Sequence, residues 1–211
     1  MLMSEQMNED ENLISVVVLG KGVVGKTSLI YRVVNNTFPD AHDATIEDKY
    51  KTFVDIDGDV QEIQIVDTAG EEDYQNMLDQ WVEMADGFIL VFAIDDQETF
   101  DALKEKINRI KKHEDKHSPI VLVGNKCDLE DRRKVSKAKA EELAKQIGAK
   151  YIETSALTDE KKNCKEPFSL CAKRVIMNRK KTGAKELKEI DTMMDEDGKK
   201  KKKGGGCCIV M

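Results

Sequence analysis

Aromatic side chains are scarce in this chain of 211 residues, at 5%, so any core it buries is built mainly from aliphatic groups. No apolar run approaches the roughly 18 residues that a membrane-spanning helix needs. The opening, MLMSEQMNEDEN, is acidic and lacks the apolar segment of a secretory leader. Cysteine occurs five times (Cys127, Cys164, Cys171, Cys207 and Cys208), an odd number without the spacing of a disulfide framework or a zinc site. That usage fits reduced thiols in the cytosol, with a separate question over the last two. Positive charge is in deficit as well. A formal charge of −7 argues against general nucleic-acid binding, which requires a cationic footprint.

What is present is charge and alternation. Charged residues make up 36% of the chain, and the length suits one domain with appendages. From Arg179 to Met211 there are ten Lys/Arg and six Asp/Glu, a surplus of four positive charges, so the rest carries −11. An acidic body with a basic tail points to a tail partner of opposite sign, such as an anionic membrane. Along the body, short apolar runs alternate with helical patterns. The run ISVVVLG (Ile14–Gly20) reads as a strand buried on both faces. A helix follows over Lys26–Asn36, then a hairpin turning at Asp57-Gly58, a strong turn dipeptide. Further strands (GFILVFAI, PIVLVG, KYIET) alternate with helices near Gln75–Ala85, over Gln97–Lys112, from the cap Ser136 and over Lys165–Lys180. The expected class is α/β, a mostly parallel sheet covered by helices on both faces, with one antiparallel edge strand. Ligands of such sheets sit at the carboxyl ends of the strands.

The motifs fall at those ends. GKGVVGKT (Gly20–Thr27) matches G-x-x-x-x-G-K-[ST] directly after a buried strand and before a helix. Its glycines let backbone N–H groups wrap phosphates, the helix N-terminus favours the anion, Lys26 neutralises charge, and Thr27 offers a hydroxyl to Mg²⁺. The pattern points to a P-loop NTPase or kinase-like site and leaves the base open. NKCD (Asn125–Asp128) follows PIVLVG. The Asp128 carboxylate can accept from guanine N1 and the 2-amino group, whereas adenine would leave it partly unpaired. Such a site rejects the wrong base by about 10⁴–10⁵. ETSAL (Glu153–Leu157) ends the last strand, where a backbone amide near Ala156 could meet guanine O6.

In order, GKGVVGKT, DATIEDKY, DTAGEEDY, NKCD and ETSAL resemble the loops of the Ras superfamily of small GTPases, the Ras/Rap branch most closely, over roughly Ile14 to Asn178. The resemblance implies a P-loop NTPase G domain with a six-stranded sheet over 14–178, cycling between GTP and GDP with Mg²⁺. Residues 1–13 are then an N-terminal extension without structure, and 179–211 a flexible tail. It implies phosphate contacts from Gly22, Val23, Val24, Gly25, Lys26, Thr27 and Ser28, and a guanine site from Phe38, Asn125, Lys126, Asp128, Ser155, Ala156 and Leu157. Thr27, Asp67 and, with a γ-phosphate present, Thr45 would hold the metal. Gly70 would donate its N–H to the γ-phosphate. Thr45, Ile46, Glu47 and Asp48 would form the effector segment, although on residues alone a charged edge strand is an equal reading. His42, Ala44, Val23 and Leu157 depart from the usual tyrosine, proline, small residue and lysine.

Glu71 departs most. It stands where the family carries the glutamine that orients the attacking water. An ionised carboxylate accepts hydrogen bonds and cannot donate one to the transferring phosphoryl oxygen. Catalysis is assigned to Lys26, Gly70 and Glu71, with the rate left open. A GTP-binding effector module with negligible hydrolysis is the alternative, and a P-loop ATPase a weaker third. No arginine in the P-loop or switch segments is placed to act in cis, so an activator protein is expected to supply one. An exchange factor and effectors are the other expected protein partners.

The chain ends in CIVM, a C-a-a-X box whose terminal Met favours farnesylation of Cys208. One lipid gives marginal binding, and Lys199–Lys203 add about 1 kcal/mol each near an anionic leaflet. Palmitoylation of Cys207 and a spare exposed thiol there are equal readings. The expected location is the cytoplasmic face of a membrane, the plasma membrane first.

Overall fold

Between Ile14 and Leu19 only Ser15 is polar, and such a run is stable as a strand where both faces are covered. The computed structural model describes residues 13–39, 47–70, 75–112, 118–158 and 163–182. In it this run is β1 (Ile14–Leu19), flanked by β3 (Asp59–Thr68) and β4 (Gly87–Ala93), both parallel to it. With β2 (Glu47–Ile56), β5 (Ile120–Asn125) and β6 (Lys150–Glu153) it forms a six-stranded sheet of order β2-β3-β1-β4-β5-β6. Only β2 is antiparallel, paired with β3 through the turn at Asp57-Gly58. Both turn residues have positive φ, 57° and 95°, the geometry that two-residue hairpins favour. The expected α/β architecture with a mostly parallel sheet is therefore the observed one.

The helices are α1 (Lys26–Asn35), α2 (Gln75–Met84), α3 (Gln97–Asp101), α4 (Leu103–Lys112) and α5 (Lys137–Gln146). A sixth, α6, occupies 166–175. The single helix expected over Gln97–Lys112 is interrupted at Ala102, which stays right-handed while its N–H turns to Glu98 and Phe100 carbonyls. The side chain of Ser136 caps α5 as expected, accepting from the Lys139 N–H at 3.3 Å. The chain divides after Val175. The sheet lies in the first unit; of the second, the described residues 176–182 are helical.

Alternation along β1 sends Val17 and Leu19 to one side and Val16 and Val18 to the other, and all four are buried. Val17 and Leu19 belong to a core with Leu78, Trp81 and Val82 of α2, Leu103, Ile107 and Ile110 of α4, and Phe88, Leu90 and Phe92 of β4. The core is mainly aliphatic, yet the few aromatics are concentrated in it: Phe88, Phe92, Phe100, Phe168 and Trp81 are all buried. Phe92 and Phe100 meet edge to face at 5.0 Å.

Because β1 connects onward to strands on both of its sides, the carboxyl ends of β1, β3, β5 and β6 open along one edge. That is where an open α/β sheet offers a ligand crevice.

Candidate functional site

The loop from Gly20 to Gly25 leaves β1 and enters α1 with no room for side chains at two points. A Cβ on Gly20 would stand 2.3 Å from the Val91 carbonyl oxygen. Gly25 has φ +89°, and a Cβ there would meet Asn125 Nδ2 at 2.6 Å. Val23 has the same left-handed backbone, φ 65°, and is 90% exposed. A β-branched residue in that region stores about 1–2 kcal/mol of strain, and its side chain touches too little protein to offset this. Val24 points inward and is fully buried.

Lys26 and Ser28 are buried at the start of α1. The Lys26 ammonium donates to the carbonyls of Gly20 (3.2 Å) and Lys21 (3.3 Å), the loop's own backbone. Burial lowers its pKa to about 8, while nearby Asp67 opposes the fall. A cation held so weakly in its charged state by protein alone gains most from an incoming anion. Asp67, at the end of β3, is wholly buried, and among the described residues no close donor saturates its carboxyl oxygens. Burial pushes its pKa up, with the Thr27 hydroxyl and the Lys26 ammonium opposing and Asp48, its register partner on β2, adding to the rise. A buried carboxyl beside a threonine hydroxyl is a pair of oxygen donors suited to a divalent cation. Thr27 and Asp67 thus fit Mg²⁺. Gly70 lies against the phosphate loop, accepting at its carbonyl from the Gly22 N–H at 2.9 Å. A Cβ at Gly70 would come within 2.4 Å of the Gly22 nitrogen.

Asn125 ends β5 and joins the phosphate loop to the base-reading loops. Its Nδ2 donates to the Val24 carbonyl at 2.9 Å. Its Oδ1 accepts from Thr154 Oγ1 at 3.1 Å and from the Ala156 N–H at 3.4 Å. Lys126 takes a left-handed turn, φ 63°, which throws Asp128 onto an exposed 3₁₀ turn (Cys127–Arg132). Ser155 and Ala156 are buried, Leu157 is 56% exposed, and the Ser155 hydroxyl accepts from the Thr158 N–H. Phe38 stands partly exposed beyond the end of α1. Thr45, Ile46, Glu71, Cys207 and Cys208 lie outside the described residues, as do His42 and Ala44.

Three contributors went unassigned from sequence. Thr154 buttresses Asn125. Trp81 of α2, the chain's single tryptophan, donates from Nε1 to Glu47 Oε2 at 2.6 Å, which ties the start of β2 to α2. Arg32 of α1 binds the carbonyls of the ETSAL loop. For Trp81 the signal available was a lone, bulky donor on an amphipathic helix; for Arg32, none, because the contact spans 124 residues of chain.

Glu153 anchors the same loop from below. Its carboxylate accepts from Arg133 Nη1 (2.9 Å), the Tyr151 hydroxyl (2.7 Å) and Lys137 Nζ (3.1 Å). Burial alone would raise its pKa, but these three donors outweigh it and the net shift is downward. A carboxyl whose pKa falls on folding adds stability above its unfolded pKa and loses it as the pH drops through the folded value. Glu153→Gln is therefore expected to cost about 2 kcal/mol at pH 7, a Tm lower by roughly 4–8 °C. The gap to the wild type should close as melts are repeated below about pH 4.5. A gap unchanged at pH 3.5 would show that the charge contributes nothing.

The Gly20–Gly25 loop, the chain just after β3 and the loops after β5 and β6 are thus joined along one sheet edge by Asn125 and the Gly22–Gly70 contact. A sequence model of the Ras family matches residues 15–177, which includes every described segment of this site. Members of that family bind guanine nucleotide with Mg²⁺ and act as switches. The chain belongs to the Ras family and is a Ras-like small GTPase.

Proposed function

We propose that this protein is a GTP-dependent switch of the Ras/Rap type that hydrolyses GTP to GDP and signals from the cytoplasmic face of a membrane. The observation that carries the nucleotide part is the Asn125 bridge. One amide side chain holds Val24 of the phosphate loop and the Thr154–Ala156 segment of the base loop, so phosphates and base are gripped by parts that move together. Lys26 is the group that gains most from a phosphate, since its ammonium is buried with only carbonyl partners. Mg²⁺, held through Thr27 and Asp67 and completed by Thr45, supplies charge neutralisation at the phosphates. Asp128 reads the guanine edge. Glu47 and Asp48, at the start of the sheet's edge strand, offer carboxylates to a basic effector surface. The tail reading rests on sequence: farnesylation of Cys208 and the lysine run Lys199–Lys203 give the two signals that stable anchoring takes.

Hydrolysis turns on Glu71, whose carboxylate accepts from the attacking water. Single-turnover GTP hydrolysis by the purified protein tests this. Glu71→Ala is expected to be slower than the wild type by about ten-fold, and Glu71→Gln faster by about ten-fold, through a regained donor. A wild-type rate no higher than that of Glu71→Ala would remove Glu71 from the chemistry and leave an effector-binding module with negligible turnover. Tighter binding of ATP than of GTP would discard the role given to Asp128.

A further inference from the structure

Arg32 sits on α1 six residues beyond Lys26, so it rides on the helix whose first turn forms the phosphate cradle. Its guanidinium is engaged entirely with backbone carbonyls. Nε donates to the Ala156 oxygen and Nη2 to the Leu157 oxygen, both at 2.9 Å. Nη1 donates to the Asn36 oxygen at 3.2 Å, the left-handed residue that ends α1. A planar fork on two successive carbonyls fixes the orientation of both peptide planes, which a flexible ammonium cannot do. The segment it grips carries the Ala156 N–H, the backbone donor assigned above to the guanine 6-oxygen. That N–H donates to Asn125 Oδ1 at 3.4 Å, a long hydrogen bond that a base oxygen would share or displace.

We infer that Arg32 is a positioning residue for guanine recognition: by clamping the Ala156 and Leu157 carbonyls to α1, it holds the backbone donors that read the base 6-oxygen in register with the phosphate cradle. The inference rests on guanine nucleotide binding at this site. It adds that the 6-oxygen is read only while α1 holds the loop, and that the lifetime of bound nucleotide is set partly by a side chain that touches no part of it. Asp128 reads N1 and the 2-amino group, further along the same edge of the base, from a separate turn, so these contacts do not depend on the clamp.

Two ligands separate these contacts. GDP carries the 6-oxygen and an N1–H; the 5′-diphosphate of 2-aminopurine riboside keeps the 2-amino group and lacks both. The lost N1–H is common to every variant, so a change of preference between variants reports the 6-oxygen. Affinities and dissociation rates of both are measured with Mg²⁺ on the full chain, for the wild type, Arg32→Ala and Arg32→Lys. The wild type is expected to prefer GDP. In Arg32→Ala GDP should dissociate about 10–100-fold faster, in line with the loss of charged hydrogen bonds, and the preference for GDP over the analogue should shrink by a similar factor. Arg32→Lys keeps the charge without the fork and should behave like Arg32→Ala; it also serves if the alanine variant does not fold. Equal losses for both ligands, or unchanged preference in Arg32→Lys, would overturn the positioning role and leave Arg32 a merely structural clamp. A wild type that binds neither ligand would instead overturn the guanine reading on which the inference stands.

Discussion

Lys26→Met is expected to reduce affinity for GDP by about 10²–10³-fold while changing the stability of the nucleotide-free protein by no more than about 1 kcal/mol. The two effects separate because the lysine's two roles have opposite signs. In the free protein its ammonium is buried against the Gly20 and Lys21 carbonyls, and burial lowers its pKa to about 8. The fold therefore carries a desolvated charge with no carboxylate in hydrogen-bond contact among the described residues. Methionine fills the same space without charge, and the relief offsets the two lost hydrogen bonds. With phosphate bound the balance reverses, since removing one member of a buried charge pair costs about 3–5 kcal/mol. Titration with a fluorescent GDP analogue and a melt without nucleotide read the two quantities on the same preparation. Affinity within ten-fold of the wild type would show that the phosphates are neutralised elsewhere.

Gly25→Ala is expected to destabilise the nucleotide-free protein by about 2–5 kcal/mol and to abolish measurable GDP binding. Two costs add. An alanine at φ +89° enters the left-handed region, at about 1–2 kcal/mol. Its Cβ would then lie 2.6 Å from Asn125 Nδ2, and the neighbour cannot retreat without breaking its bond to the Val24 carbonyl. Gly58→Ala separates the terms. Gly58 has φ +95°, and a Cβ there would have nothing within 4 Å, so that variant carries the backbone cost alone. Chemical denaturation of both variants should place Gly25→Ala lower by at least about 1 kcal/mol, the contribution of the displaced amide. Equal losses would mean that Asn125 yields freely and does not join the two loops as described.

Much of the site is written locally. Glycines at fixed offsets, a lysine and a threonine between an apolar run and a helix specify a phosphate loop before any contact is known, because backbone conformation and N–H direction follow from residues a few positions apart. The same is true of the Asp57-Gly58 hairpin and of the apolar runs that became β1, β4 and β5. The interruption at Ala102 leaves no mark in the sequence, since it alters hydrogen bonding without leaving the right-handed region. The strained Val23 was visible only as a departure from pattern; that it is left-handed and exposed required its dihedral angle. The partners that hold the loops together are long-range. Asn125 reaches Val24 across 101 residues and Arg32 reaches Ala156 across 124, and no spacing rule links such pairs.

The order of strands and helices, the loops that carry chemistry and the kinds of group in them are all legible from residues alone, because they depend on hydrophobic period and on local backbone freedom. Which of those groups meet is a property of the folded chain. Asp67 is buried at the end of β3, Asn125 commits its amide to joining two loops, and Arg32 clamps the Ala156–Leu157 segment to α1. Each of these follows from strand order, which brings the ends of β1, β3, β5 and β6 to one edge. Burial and hydrogen-bond partnership depend on neighbours in space, and the chain brings those neighbours together only when the sheet closes.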